Sequence, residues 1–252
     1  MVFIRNTSRG RRVSACTVAL CAVFCLAVGC GAPSTGGPGD ATTRQDVTGD
    51  AGVGRDGDRG LPYATEVVEF SPGPGAGHGQ DDFPGIVFGP PQPKASGQGS
   101  LDVLSLGANG EIVLGFGDRA IVDGDGADFI VFENPFYVGG NPEQVYAELA
   151  EVSVSPDGKN WKTFDCDTEP AEPGRWPGCA GWRPTRSYDP ERVDPLEPAV
   201  TGGDPFDLEE IDVERARYVR IRDVSKNGPG PTTGFDLDAV GFIHGTPDDS
   251  KR

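Results

Sequence analysis

The chain has 252 residues and carries 39 acidic against 22 basic side chains, a net charge of −17. A surface this acidic repels DNA, RNA and anionic lipid, so nucleic acid is excluded as a partner, while solubility and divalent cations are favoured. The 38 glycines and 23 prolines point to frequent tight turns rather than long helices.

The N-terminus reads as an export signal. Arg5, Arg9, Arg11 and Arg12 form a basic region with no acidic residue before Asp40. Val13 to Val28 follows as an apolar segment, shorter than the roughly 20 residues of a membrane span. Leu26-Ala27-Val28-Gly29-Cys30 resembles the bacterial lipobox, in which the cysteine is lipidated and becomes the mature N-terminus. Residues 1–29 are therefore expected to be a lipoprotein signal peptide, with Cys30 as the lipidation site. The absence of an aspartate after Cys30 favours the outer membrane in lipoproteins of this type. The expected partner there is the membrane, through the lipid anchor, with the protein at the outer membrane or cell surface. Residues 30–60 are rich in Gly, Pro, Ser, Thr and Asp and are expected to be a disordered tether with a reach of roughly 30 Å.

Residues 61–245 are expected to form one β-sandwich domain, and 246–252 a short charged tail. Glu66 to Phe70 reads as the first strand, followed by a glycine-proline loop that carries His78, Asp81 and Asp82. Leu101–Leu106 and Glu111–Phe116 flank Asn109-Gly110, a dipeptide that predicts a β-hairpin. Phe129 to Glu133, apolar on both faces, predicts a central strand buried on both sides. Glu143 to Leu149 is the single helical candidate. Ala150, Val152 and Val154 alternate with Glu151, Ser153 and Ser155, the pattern of a half-exposed antiparallel strand. Pro156-Asp157-Gly158 then turns the chain and Asn160–Phe164 returns it.

From Asp165 to Gly203 no regular element is predicted. With the leader removed, Cys166 and Cys179 are the cysteines left beside Cys30. In an oxidising compartment they are expected to form a disulfide that staples this loop. Arg217–Val224 and Phe235–His244 complete the sheets. Many short strands between Gly/Pro turns make an all-β sandwich the expected class.

Particular segments resemble a known family. Val154-Ser155-Pro156-Asp157-Gly158-Lys159-Asn160-Trp161 resembles the V-S-x-D-G-x-x-W hairpin of discoidin-like (F5/8 type C) domains, and Arg215–Arg222 is similar to their A-R-Y-V-R-I strand. Both fall in the order of the galactose-binding-like jelly roll, which is the fold the resemblance implies. Gly202–Leu208 and Gly234–Val240 look instead like a set of uncharacterised bacterial cell-surface lipoproteins that also carry a DFxVFEN segment, here Asp128–Asn134. The long stapled insert between the two signature strands departs from the discoidin-like pattern.

The sharpest chemical expectation is a structural calcium site. Calcium takes six to eight oxygen ligands, which acidic glycine loops supply. Asp123, Asp125 and Asp128 lie on one short turn, with Glu133 and Asn134 at the far end of the following strand. Asp204, Asp207, Asp236 and Asp238 come from two further segments that a sandwich can bring nearby. The spacing is not that of an EF-hand: Ala127 occupies the fifth position, Asp128 the sixth and Asn134 the twelfth. The resemblance adds to the expectation, since galactose-binding-like domains commonly hold a structural calcium. Turns also attract aspartate for backbone reasons alone. Asp236 and Asp238 have a second reading, as partners of Arg220 and Arg222 in an ion-pair ladder if their strands are neighbours.

Enzymatic constellations are missing from the sequence. There is no Gly-x-Ser-x-Gly, the histidines are His78 and His244, and no enzyme is expected. A binding role rests on the aromatics Tyr137, Trp176 and Trp182. Exposed, they form a sugar-stacking platform; buried, they are the stapled loop's own core. The expected function is adhesion or binding at the cell surface, to glycan before a cell-surface protein. A structural or accessory envelope protein without a small-molecule ligand is the alternative, and a glycan-active hydrolase with paired carboxylates a distant one.

Overall fold

A computed structural model describes residues 60–92, 99–169, 172–193, 196–226 and 233–248. The expected signal peptide, Cys30, the tether up to Arg59 and the tail beyond Asp248 lie outside these residues. Among them the strands, in chain order, are β1 (Glu66–Ser71), β2 (Leu104–Ser105), β3 (Glu111–Gly115), β4 (Arg119–Val122), β5 (Phe129–Glu133), β6 (Phe136–Tyr137), β7 (Val145–Tyr146), β8 (Ala150–Ser155), β9 (Lys162–Thr163), β10 (Cys179–Ala180), β11 (Asp204–Phe206), β12 (Arg215–Ala216), β13 (Tyr218–Asp223), β14 (Asp236–Phe242) and β15 (Gly245–Pro247). One four-residue α-helix, α1 (Pro198–Thr201), and a few 3₁₀ turns accompany them.

The strands form an all-β sandwich. One sheet has the order β1-β3-β13-β8-β10 with β9 added to β8, and the other has the order β11-β5-β14-β2. All these neighbours pair antiparallel. A shared core fills the space between: Val67, Ile112, Leu114, Val152, Val154, Val219 and Ile221 from the first sheet meet Leu104, Phe129, Val131, Phe206, Leu237 and Val240 from the second. Each such side chain, fully buried, stabilises the fold by about 1.5–3 kcal/mol.

Strand β5 is apolar on both faces for a simple reason. Phe129 and Val131 point into the shared core, while Ile130 and Phe132 join a second cluster with Tyr63, Leu196 and Ala239. That outer cluster also takes up Tyr188, so Tyr188 and Leu196 cover this face of the sheet. Gly203 makes the close approach possible: its φ is +76°, and a Cβ there would sit 2.6 Å from Ile130 and 2.7 Å from Phe132. The double burial expected of Phe129–Glu133 is what the structure has.

The Val154–Trp161 and Arg215–Arg222 segments are neighbours. In Val154–Trp161, Ser155 Oγ accepts the Gly158 N–H at 2.9 Å, and Asp157 Oδ1 accepts the N–H groups of Lys159 and Asn160, both at 2.8 Å. These local bonds, which also hold the Asp157 carboxyl well below its usual range, tie the turn between β8 and β9. Strand β13 lies next to β8, with Val219 opposite Val154 and Ile221 opposite Val152.

Several expectations are corrected. Asn109-Gly110 makes a turn, with Asn109 in the left-handed region at φ 58°, but no hairpin. The strand before it, β2, pairs with β14, and the strand after it, β3, pairs with β1 and β13, so the turn crosses between sheets. Glu143–Leu149 is not helical. Val145-Tyr146 pairs with Phe136-Tyr137, the Val138 N–H donates to Gln144 O at 2.8 Å, and the rings of Phe136 and Tyr146 stack at 5.0 Å. A β-branched residue next to an aromatic suits that ribbon better than a helix preceded by Pro142.

Ser153 and Ser155, expected at the surface, are buried. Ser153 Oγ shares a hydrogen bond with Thr163 and accepts one from Arg220, which in turn lies 4.5 Å from the Trp161 ring. The Arg–Asp ladder does not form, because β13 and β14 belong to opposite sheets. Arg220 pairs with Glu111 and Arg222 with Glu151 instead. The domain also runs past its expected end at Gly245: β15 pairs with β4, and the buried Asp248 forms ion pairs with Arg215 and Arg217.

Candidate functional site

The described residues of the long 165–203 segment include the disulfide Cys166–Cys179, as its cysteines predicted. Cys179 lies in β10 and pairs with Glu151 of β8, so the staple fastens the loop to a sheet edge. A second anchor is Asp204, 2% exposed. Its Oδ2 accepts the N–H groups of Gly181 at 2.7 Å and Trp182 at 3.1 Å, turning the loop back over β11. Burial outweighs these donors and the nearby Arg183, and pushes the carboxyl up to about 7.

Between this loop and the β6–β7 ribbon runs an open groove of about 860 Å³. Tyr137 and Val145 of the ribbon line one side, and Trp182, Arg183 and Thr185 of the loop line the other. The Trp182 indole N–H donates to Cys179 O at 3.1 Å, and the Arg183 guanidinium lies 4.5 Å from the Trp182 ring. Trp176 packs edge-on against Trp182, with ring centroids 6.5 Å apart. Tyr137, Trp176 and Trp182 are all half-buried. Two of the three predicted aromatics therefore border the groove, and Trp176 buttresses one of them. Glu143 is the single carboxylate among the residues that line it.

The nine predicted metal ligands do not meet at one point. Asp123, Asp128 and Asp207 offer oxygens within 4.8 Å of one another, and Glu133, Asp236 and Glu148 do so at a second place. Asp125 belongs to neither group. Asp204 serves the stapled loop, and Asp238 Oδ1 accepts the Gln92 N–H at 3.1 Å, with burial pushing its carboxyl up to about 7. Asn134 donates to Ser100 O at 2.8 Å and more weakly to Asp236 Oδ2.

The two groups differ in kind. Asp128 Oδ1 accepts from Gly124 N–H and is hydrogen-bonded to His244 Nδ1, both at 2.8 Å, while Oδ2 accepts from Leu208 N–H at 2.7 Å. It is a bracket that ties three segments together. In the second group burial, followed by Asp236 and Glu148, raises the Glu133 carboxyl well above its ordinary range, and burial likewise raises Asp236. Glu148 was not anticipated from the sequence. It lies in the segment that reads as a helix, where a glutamate looks like a solvated side chain, and nothing local signals its burial.

No family model matches the chain, and no curated protein matches it. Among solved structures it is similar to the C-terminal domain of a chitobiase from Bacteroides fragilis, at 14% identity and a TM-score of 0.27. The match covers 55% of this chain and 64% of that one, less than two thirds of its length. The sandwich assignment rests on the strand pairing rather than on this likeness.

Proposed function

We propose that this domain is a glycan-binding module of the galactose-binding-like type, carried to the cell surface by a lipid-anchored, exported chain. The observation that carries the reading is the groove between the stapled loop and the β6–β7 ribbon. It offers the partly exposed rings of Tyr137 and Trp182, which suit stacking on a sugar face. Beside them Arg183 supplies donors, and Glu143 and the Thr185 hydroxyl oxygen supply acceptors, for hydroxyl groups, the usual make-up of a small-molecule site. Hydrolysis by paired carboxylates needs two acids across a cleft, whereas the described lining contributes one. The lipobox at Cys30 and the discoidin-like segments Val154–Trp161 and Arg215–Arg222 support the surface location and the fold type.

The test is a glycan array with the full chain, followed by titration of the strongest glycan against wild type, W182A and Y137A. The reading expects at least a tenfold loss of affinity in W182A, in line with 1.4 kcal/mol or more from one stacked ring. Binding that is indifferent to both substitutions would place the ligand elsewhere, and an array without any positive would defeat the reading. A second reading, an accessory envelope protein that contacts another protein, is favoured by the exposed Phe136, Val138 and Tyr146, at 38%, 46% and 45%.

A further inference from the structure

We propose that the ligand of the groove is an anionic sugar, carboxylated or sulfated, a step that rests on the glycan reading above and names its substrate class. The chain as a whole is strongly acidic, with 39 acidic against 22 basic residues. The groove reverses that balance: Arg175, Arg183 and Arg186 line it, against the one carboxylate of Glu143. At physiological salt, charges more than about 8 Å away are largely screened, so a small ligand seated there feels these arginines more than the acidic exterior. The same exterior repels a long polyanion, which keeps nucleic acid out and favours a short oligosaccharide.

Local contacts hold the guanidinium groups at the groove. Arg183 lies 4.5 Å from the centre of the Trp182 ring, which sets a charge directly against the stacking surface. Its Nε is 4.0 Å from Asp204 Oδ1, the outer limit of an ion pair, and Asp204 Oδ2 is taken by the Gly181 and Trp182 N–H groups. With 47% of its side chain exposed, Arg183 keeps its N–H fork within reach of a ligand. Arg186 is tied to α1, its backbone N–H donating to Thr201 O at 2.7 Å and its Nη1 to Ala199 O at 2.6 Å. That side-chain bond uses one of the five N–H donors of a guanidinium. Arg175 pairs with Glu172 at 3.2 Å, but both side chains are mostly exposed, and such a pair is exchanged for a ligand at little cost.

Guanidinium chemistry selects the ligand. Every cationic residue of the described lining is an arginine. Its planar fork of donors matches the oxygens of a carboxylate or a sulfate two at a time, which a lysine ammonium cannot do. Neutral hydroxyls gain less from it, because hydrogen bonds between charged partners are roughly twice as strong as neutral ones. A uronic acid or a sulfated hexose brings what both parts of the groove take: a ring face for Tyr137 or Trp182, and an oxyanion at the ring's edge for the arginines.

The experiment is a glycan array with the full chain, carrying neutral glycans beside two matched pairs. One pair is tetragalacturonate and its methyl ester; the other is a sulfated galactan tetrasaccharide and its desulfated form. An acidic member is expected to bind about tenfold or more tightly than its neutral counterpart, and the pair that responds tells carboxylate from sulfate. R183Q and R186Q, each checked by thermal melting, should lose about tenfold in affinity for that acidic ligand and with it the preference over the neutral form. Should one variant fail to fold, the other decides. Raising sodium chloride from about 50 to about 500 mM should weaken the acidic ligand several-fold and spare the neutral one. Neutral glycans that bind as tightly as acidic ones overturn the proposal, and if W182A then abolishes that neutral binding the glycan reading itself stands. Acidic binding that survives in both arginine variants overturns the proposal as well. An array with no positive defeats the proposal and the glycan reading together.

Discussion

Asp204 gives the fold a pH dependence that can be worked out in advance. It is buried under the stapled loop, its Oδ2 takes the Gly181 and Trp182 N–H groups, and its Oδ1 lies 4.0 Å from Arg183 Nε without a hydrogen bond. Its carboxyl is pushed up to about 7 by burial, against about 3.9 for an unfolded aspartate. The folded chain therefore holds this proton more tightly than the unfolded chain. The stability contributed is fully present below about pH 4 and is lost as pH rises through about 7. Between pH 5 and pH 8 the loss from this one group is about 2.5 kcal/mol, equivalent to roughly 5–10 °C in melting midpoint for a domain of this size. Asp204→Asn keeps an oxygen for the two N–H donors and cannot titrate. Urea unfolding of wild type and D204N at both pH values, in EDTA, is the assay. D204N should lose about 2.5 kcal/mol less stability than wild type across that interval. Identical pH slopes for the two proteins would refute the assignment of Asp204 as a buried titrating group.

Two further substitutions test the framework around the groove. Replacing Cys166 and Cys179 together by serine frees a loop of 13 residues' separation and should cost about 3 kcal/mol in urea unfolding, leaving the variant no less stable than wild type assayed reduced. Phe129→Ala should cost about 3–5 kcal/mol, because the ring is fully buried between Phe206 at 5.1 Å and Phe164 at 5.9 Å. A loss under 1 kcal/mol would mean that β5 is not the centre of the core.

What the sequence made legible was local or fully buried. Phe129–Glu133 is apolar at every position but its last, and only a strand covered on both faces needs that. The Ser155–Asn160 turn announces itself through side chains that bond their own backbone. What stayed hidden depends on which sheet a strand joins. Asn109-Gly110 specifies a turn, but nothing near it says that β2 and β3 part to opposite sheets. Arg220 and Asp236 alternate correctly on strands that never meet. Val145-Tyr146 becomes a strand because Phe136-Tyr137 lies opposite, a partner invisible to a helical periodicity.

The candidate sites follow the same rule. Tyr137 and Trp182 were legible as aromatics in loops, yet their sharing of one groove comes from the staple at Cys179 and the anchor at Asp204. The scattered aspartates could not be sorted into two clusters without the topology, and Glu148 joins one of them only because its segment is not a helix.

The central claim is that sugars stack in the groove, and the indole N–H resonances test it most directly. The chain has three tryptophans, and they sit in distinguishable places. Trp182 borders the groove, Trp176 packs behind it, and Trp161 lies across the Arg220 guanidinium on the β8–β9 hairpin. In a ¹⁵N-labelled full chain, adding the glycan selected on the array should shift the Trp182 indole signal most, Trp176 less, and leave Trp161 where it was. A saturable shift confined to Trp161, or none at any indole while the glycan binds, would contradict the account.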